Sequence, residues 1–173
     1  MRPELLIRLK RHADGSASIT CTRRDGTSTW QRQHGKLGWV FPPHDLTHYA
    51  VETTLGFGGA FYGLIAEGWD IADFAKPWPR GPIPPEAIEV ELIVGFFDAE
   101  RLNGVRWTEE EFGAHAAQFV AARRAAHPAA MDVTPRALTA AELAQVRASR
   151  ADLLARWAAL APGDAMELAF VRR

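Results

Sequence analysis

Residues 4–32 read ELLIRLKRHADGSASITCTRRDGTSTWQR, and the alternation in this stretch decides the fold class. Leu5, Ile7 and Leu9 fall on one face of an extended segment, with Arg8 and Lys10 on the other. A period of two is the mark of a half-buried strand. Asp14-Gly15 marks a tight turn, after which Ala17, Ile19 and Cys21 resume the alternation. A second pair, Asp25-Gly26, precedes a third short strand around Trp30. Asp-Gly between alternating runs signals a hairpin because such turns need positive φ. The expectation is a three-stranded antiparallel meander, too small to stand without a cover on its apolar face.

The tail supplies the matching piece. Across residues 165–171, Met166, Leu168 and Phe170 alternate, which predicts a last strand returning to the N-terminal sheet. Between these ends the pattern turns helical. Pro42-Pro43 suits the entry to a helix, where a missing N–H goes unneeded, and a helix is predicted over about residues 43–55. After Gly56 and Gly58-Gly59, a second is predicted over about 60–74, carrying Phe61, Leu64 and Ile65 at core spacing. The proline-rich stretch 76–86 reads as a stiff extended connection, and 86–103 as a buried helix. Two capping boxes, Thr108 with Glu111 and Thr139 with Glu142, open helices to about Ala126 and Leu160, with a loop at 131–138 between them. The expected architecture is α+β: one domain, a small antiparallel sheet (meander plus C-terminal strand) packed against about five helices.

Composition narrows the function classes. With 173 residues, 47% hydrophobic and 24% charged, the chain can bury a real core. Lys and Arg total 20 against 21 Asp and Glu, so no basic excess favours nucleic acid. Cys21, alone and on the apolar strand face, leaves no internal disulfide and reads as a buried small hydrophobe. The N-terminus lacks the apolar run of a signal peptide, and no stretch approaches a membrane span. The expectation is a soluble cytoplasmic protein with neither membrane nor nucleic acid as partner, its ligand a small molecule or peptide. No phosphate-cradling loop or GxSxG elbow appears.

Chemistry concentrates in PPHDLTHYAVE, residues 42–52. On a helix, His44, His48 and Glu52 share one ~80° sector, with Leu46 and Ala50 opposite. Histidines at i and i+4 can converge on one metal ion, but zinc takes three protein ligands plus water, or four. Glu52, two turns from His44, suits orienting His48 better than sharing its metal. The expected third ligand is Glu67, on the small-residue side of the next helix, ahead of Asp70, His34 and His115. Asp45 can be a further ligand, a general base or first-turn negative charge. Zinc is the expected cofactor. The competing reading is a hydrogen-bonded hub, with His48 on Glu52 and His44 at the helix start. Trp39, Trp69 and Trp78 flank this stretch and read as core packing. Arg172-Arg173 reads as solvated surface.

His44, Asp45 and His48 resemble two zinc families. In the HExxH zincins a pair of histidines at this spacing ligates zinc, and a glutamate on the following helix completes the set; the resemblance implies Glu67 as ligand, although Asp45 stands where those enzymes carry their base glutamate. The HDxxH zinc proteins of ubiquinone biosynthesis share the motif itself, but their downstream glutamate falls at Ala60 here. A longer resemblance, over roughly the first half, is to uncharacterised bacterial proteins with a Trp-Gln strand end, HDLxHxxVE and a glycine-rich GFxG-like segment. Here these are Trp30-Gln31, residues 44–52 and residues 56–70. It implies a shared site without a named reaction.

Overall fold

A computed structural model describes residues 3–128 and 133–172. Four strands, β1 (Leu5–Arg11), β2 (Ala17–Arg23), β3 (Ser28–Gln33) and β4 (Ala165–Phe170), form an antiparallel sheet in the order β3-β2-β1-β4. Five helices complete the described residues: α1 (Leu37–Leu55), α2 (Phe61–Ala66), α3 (Pro85–Asn103), α4 (Glu109–Ala126) and α5 (Ala140–Ala158). The architecture is α+β. The expected loop at 131–138 lies partly outside the described residues. None of these helices is long and apolar enough to cross a membrane.

Register explains why one sheet face is a core. Ile7 stands between Cys21 and Leu168, and Leu9 between Ile19 and Met166. All of these are buried, while Leu6, Arg8 and Glu167 on the opposite face are not. Each large side chain so buried contributes about 1.5–3 kcal/mol. Helix α1 covers this face and packs between α3 and α5. Tyr49 fastens it to the sheet edge by donating its hydroxyl hydrogen to the Ala169 carbonyl at 2.8 Å.

Two helical boundaries depart from the sequence reading. Helix α1 starts at Leu37, not at the prolines, so Pro42 and Pro43 lie inside it. Its first turn is closed by amides of Leu37, Gly38 and Trp39 on the carbonyls of His34, Gly35 and Lys36. Gly38 permits this early start: a Cβ there would stand 3.0 Å from the Gln33 and Gly15 carbonyl oxygens. The prolines forgo two intrahelical donors, a local cost overridden by packing of this turn on the sheet. The helix expected over 60–74 is split. Helix α2 ends at Ala66, Gly68 turns the chain at φ +109°, and Ile71–Phe74 forms a short 3-10 turn. Trp39 is 72% exposed rather than core, Trp78 is also exposed, and Trp69 packs on Phe74.

The glycine-rich link from α1 to α2 folds onto acidic side chains. Gly56 closes α1 in the left-handed conformation, its amide on the Glu52 carbonyl. The Gly58 and Gly59 amides donate to Glu86 Oε1 at 2.9 and 2.7 Å, holding the start of α3 against the link. Gly63 meets the link so closely that a Cβ would lie 1.8 Å from the Gly58 carbonyl oxygen. Because that neighbour is backbone, Gly63→Ala is expected to lower the unfolding free energy by about 3 kcal/mol. Urea denaturation checks this; a loss within ~0.5 kcal/mol would show that the link yields freely.

Candidate metal site

Helices α1 and α3 run antiparallel, and their facing sides carry the chemistry. His44 Nδ1 lies 2.9 Å from Asp98 Oδ2, and His48 Nε2 lies 2.9 Å from Glu91 Oε2. Glu91 and Asp98 are seven residues apart on α3, two turns, as His44 and His48 are one turn apart on α1. His44 Nε2 also faces Glu91, at 3.7 Å from Oε1. The two imidazole rings stand edge to face with centroids 4.8 Å apart.

Behind the rings sit further carboxylates. His48 Nδ1 is 3.4 Å from Glu52 Oε1, and Glu52 is fully buried. The other oxygen of Glu52 accepts the Tyr62 amide at 2.9 Å and the Gly63 amide at 3.4 Å. Asp98 Oδ1 in turn stands 3.6 Å from Arg101 Nε, and 3.5 Å from the Thr47 hydroxyl, which donates to the Pro43 carbonyl at 2.8 Å. Each imidazole therefore has one nitrogen on a backing carboxylate and the other turned to Glu91. Phe61 packs against His48 and closes the inner wall, with ring centroids at 5.4 Å.

Among the described residues, His44, His48 and Glu91 form the group that can hold a metal ion, with one ligand atom from each within 4.8 Å of the others. Zinc at 2.0–2.2 Å from each donor needs them roughly 3.4 Å apart, so small side-chain shifts suffice. Glu91 is 60% exposed and leaves an outer side open to solvent, whereas His48 is buried.

The expected residues divide. His44 and His48 are brought together, and Glu52 stands behind His48. Glu67 does not join them: it caps α2, and Arg172 pairs with both it and Glu4. The short α2 ends before it can carry Glu67 back towards α1, and α3 presents Glu91 instead. This also corrects the reading of Arg172 as free surface; Arg173 lies outside the described residues. Asp45 lies about 100° around α1 from His44 and lines a small cleft with Leu9, Ile19, Gln33 and Pro42 on the sheet side. Burial raises the pKa of its carboxyl group to about 7 against the charges of His44 and His48. Asp70 binds Arg23, His115 stacks on Trp107, and His34 is exposed. Glu91 and Asp98 escaped the sequence reading. Their signal was two acids seven apart, and so on one face of the helix predicted over 86–103.

Electrostatics follow from the same contacts. Burial pulls the His48 pKa down, but Glu52 and Glu91 outweigh it and hold it up to about 10. Burial pushes Glu91 and Asp98 up, yet the histidines bring both below the ordinary carboxylate range. For Glu52, burial wins and the pKa is raised, despite His48 and the two amides.

A scan against protein-family models finds no match, and searches of curated proteins and of solved structures return no similar protein.

The raised pKa of His48 sets a sign for stability. Its contribution is complete below the ordinary value of 6.5 and is lost as pH rises through about 10. Chelator-treated wild type should therefore lose roughly 1 kcal/mol per pH unit between pH 7 and 9 relative to His48→Gln. Parallel urea titrations of both proteins test this, and equal slopes would refute it.

Proposed function

We propose that this chain is a zinc-type metalloprotein in which His44, His48 and Glu91 hold the ion, and that it acts as a metal-dependent hydrolase. One observation carries the reading: both Nε2 atoms face the same Glu91 carboxylate while both Nδ1 atoms are backed by carboxylates, Asp98 and Glu52. Such backing fixes ring orientation and raises the basicity of the ligating nitrogen. Two imidazoles and a carboxylate suit zinc and leave room for a further ligand. When bound, zinc lowers the pKa of a coordinated water towards 7 and polarises carbonyl or phosphoryl oxygens.

The remaining residues have supporting parts. Arg101 pairs its charge with Asp98, and Glu52 locks His48 to the start of α2. Exposure of Glu91 gives a small molecule or a peptide end a way in. Asp45, turned to the sheet, is not assigned the role of general base.

A second reading is favoured by one specific fact: both nitrogens of His48 already face carboxylates. On that reading the protein is a non-catalytic binding or interaction protein, and the HDLTH segment is a charged hydrogen-bond hub.

Metal analysis of untagged protein separates the two. The zinc reading expects about one ion per chain, lost in the His44→Ala/His48→Ala pair and in Glu91→Ala, and retained in Glu67→Ala. Asp98→Asn should weaken zinc about 10–100-fold without abolishing it. Metal content unchanged by the double substitution would overturn the zinc reading. The hub reading expects that same variant to lose thermal stability while a chelator leaves the wild type unchanged.

A further inference from the structure

Leu37, Trp39 and Val40 stand together in the first turn of α1, and all three are exposed, at 49%, 72% and 55%. None of them packs on the core. Gly38 is the buried member of the turn, held against the Gly15 and Gln33 carbonyls. At about 100° per residue, Val40 stands nearly opposite Gly38, with Trp39 and Leu37 on either side of it. The three therefore form one face, turned away from the β1–β2 turn that Gly38 touches. Single exposed apolar residues are ordinary, whereas a cluster of them marks a contact surface.

The charge leading into this face is positive. Residues 26–44 contain no Asp or Glu, while Arg32, His34 and Lys36 precede the turn. Lys36 lies four residues before Val40 and so shares its side of the helix. Asp14, on the neighbouring β1–β2 turn, is paired with Arg32 at 2.8 Å. Burial, Arg32 and Lys10 lower the pKa of His12 beside that turn, as cationic surroundings require. We propose that the first turn of α1 is a docking surface for an anionic lipid bilayer, with Leu37, Trp39 and Val40 entering the headgroup boundary and Lys36 meeting the lipid charges. Tryptophan suits that boundary because its ring is apolar and its N–H polar. Aliphatic Leu37 and Val40 give a nucleic-acid base no ring to stack on, which favours lipid over a single strand. The expectation of no membrane partner rested on the want of a spanning stretch, and lying on a surface needs none. Three apolar side chains and a few cations make the attachment weak and reversible.

Flotation of the untagged full-length protein with vesicles tests this. One set holds equal parts phosphatidylcholine and phosphatidylserine, the other phosphatidylcholine alone. Wild type should bind the mixed vesicles about tenfold or more tightly than the neutral ones. The Leu37→Ser/Trp39→Ser pair and Lys36→Glu should each weaken binding to the mixed vesicles about tenfold. Leu102→Ser removes a side chain on α3 that is as exposed, at 74%, and should leave binding within about twofold. All three variants should melt with the wild type, because the replaced side chains are exposed. Binding to neither vesicle, equal binding to both, or a loss in Leu102→Ser that matches the loss in the pair overturns the proposal. Retention of a single-stranded oligonucleotide without vesicle binding also overturns it and assigns the face to nucleic acid.

Discussion

The Glu52 carboxylate, with no exposed surface, joins three things that must be held together. One oxygen faces His48 Nδ1, and the other receives the amides that open α2. A carboxylate withdrawn from water costs several kcal/mol unless its oxygens are bonded. Here they are bonded by groups that also need partners, since the first amides of a helix have none within it. The glycine-rich link can deliver those amides only by passing close to itself, which is why Gly63 carries no side chain. Remove the carboxylate, and the start of α2 loses its acceptor just where His48 Nδ1 loses its partner. Fold and site depend on the same atom pair.

Helix α1 extends this logic. Its apolar positions Leu46, Ala50 and Val51 are buried, and its polar positions His44, His48 and Glu52 are not spread over solvent but turned between neighbours. An amphipathic helix on a surface would show these residues to water. This one is enclosed by the sheet, α3 and α5, so every polar group on it needs a partner from another element. His44 finds Asp98, His48 finds Glu52 and Glu91, and the Tyr62 hydroxyl donates to the Asp45 carbonyl at 2.9 Å. The Asp45 carboxyl group faces the sheet instead, where burial raises its pKa.

The sheet was legible because its information is local. Asp14-Gly15 and Asp25-Gly26 specify turns, and alternation of Leu5, Ile7 and Leu9 specifies a face. The same holds for the two capping boxes, where Thr108 and Thr139 accept from amides three residues on. Half the candidate site was legible for the same reason: His44 and His48 lie on one helix. The other half required knowing which helix stands beside α1. Chain order suggests α2, and with it Glu67. The neighbour that supplies the acids is α3, reached across a proline-rich stretch, and Glu91 and Asp98 read in isolation as ordinary charges on a buried helix. The prolines misled for a related reason. Local preference puts Pro42 at a helix start, whereas contact of Gly38 with the Gly15 and Gln33 carbonyls starts the helix earlier.

The two functional readings are better treated as two occupancies of one arrangement than as different designs. A proton on His48 and a metal at His48 Nε2 compete for the same lone pair. With the proton, the ring is a cation bridging Glu52 and Glu91, and these two carboxylates are what raise its pKa. Were a metal bound there, Glu52 would still hold Nδ1–H and Glu91 would serve as ligand rather than hydrogen-bond acceptor. Neither occupant changes which groups are neighbours; each neutralises carboxylates that the fold has brought together. A protein using the site for metal must therefore overcome its own internal ion pair, so uptake releases a proton and strengthens as pH rises. The bridge from Glu52 through His48 to Glu91 is the same feature that keeps the donors of the proposed site side by side.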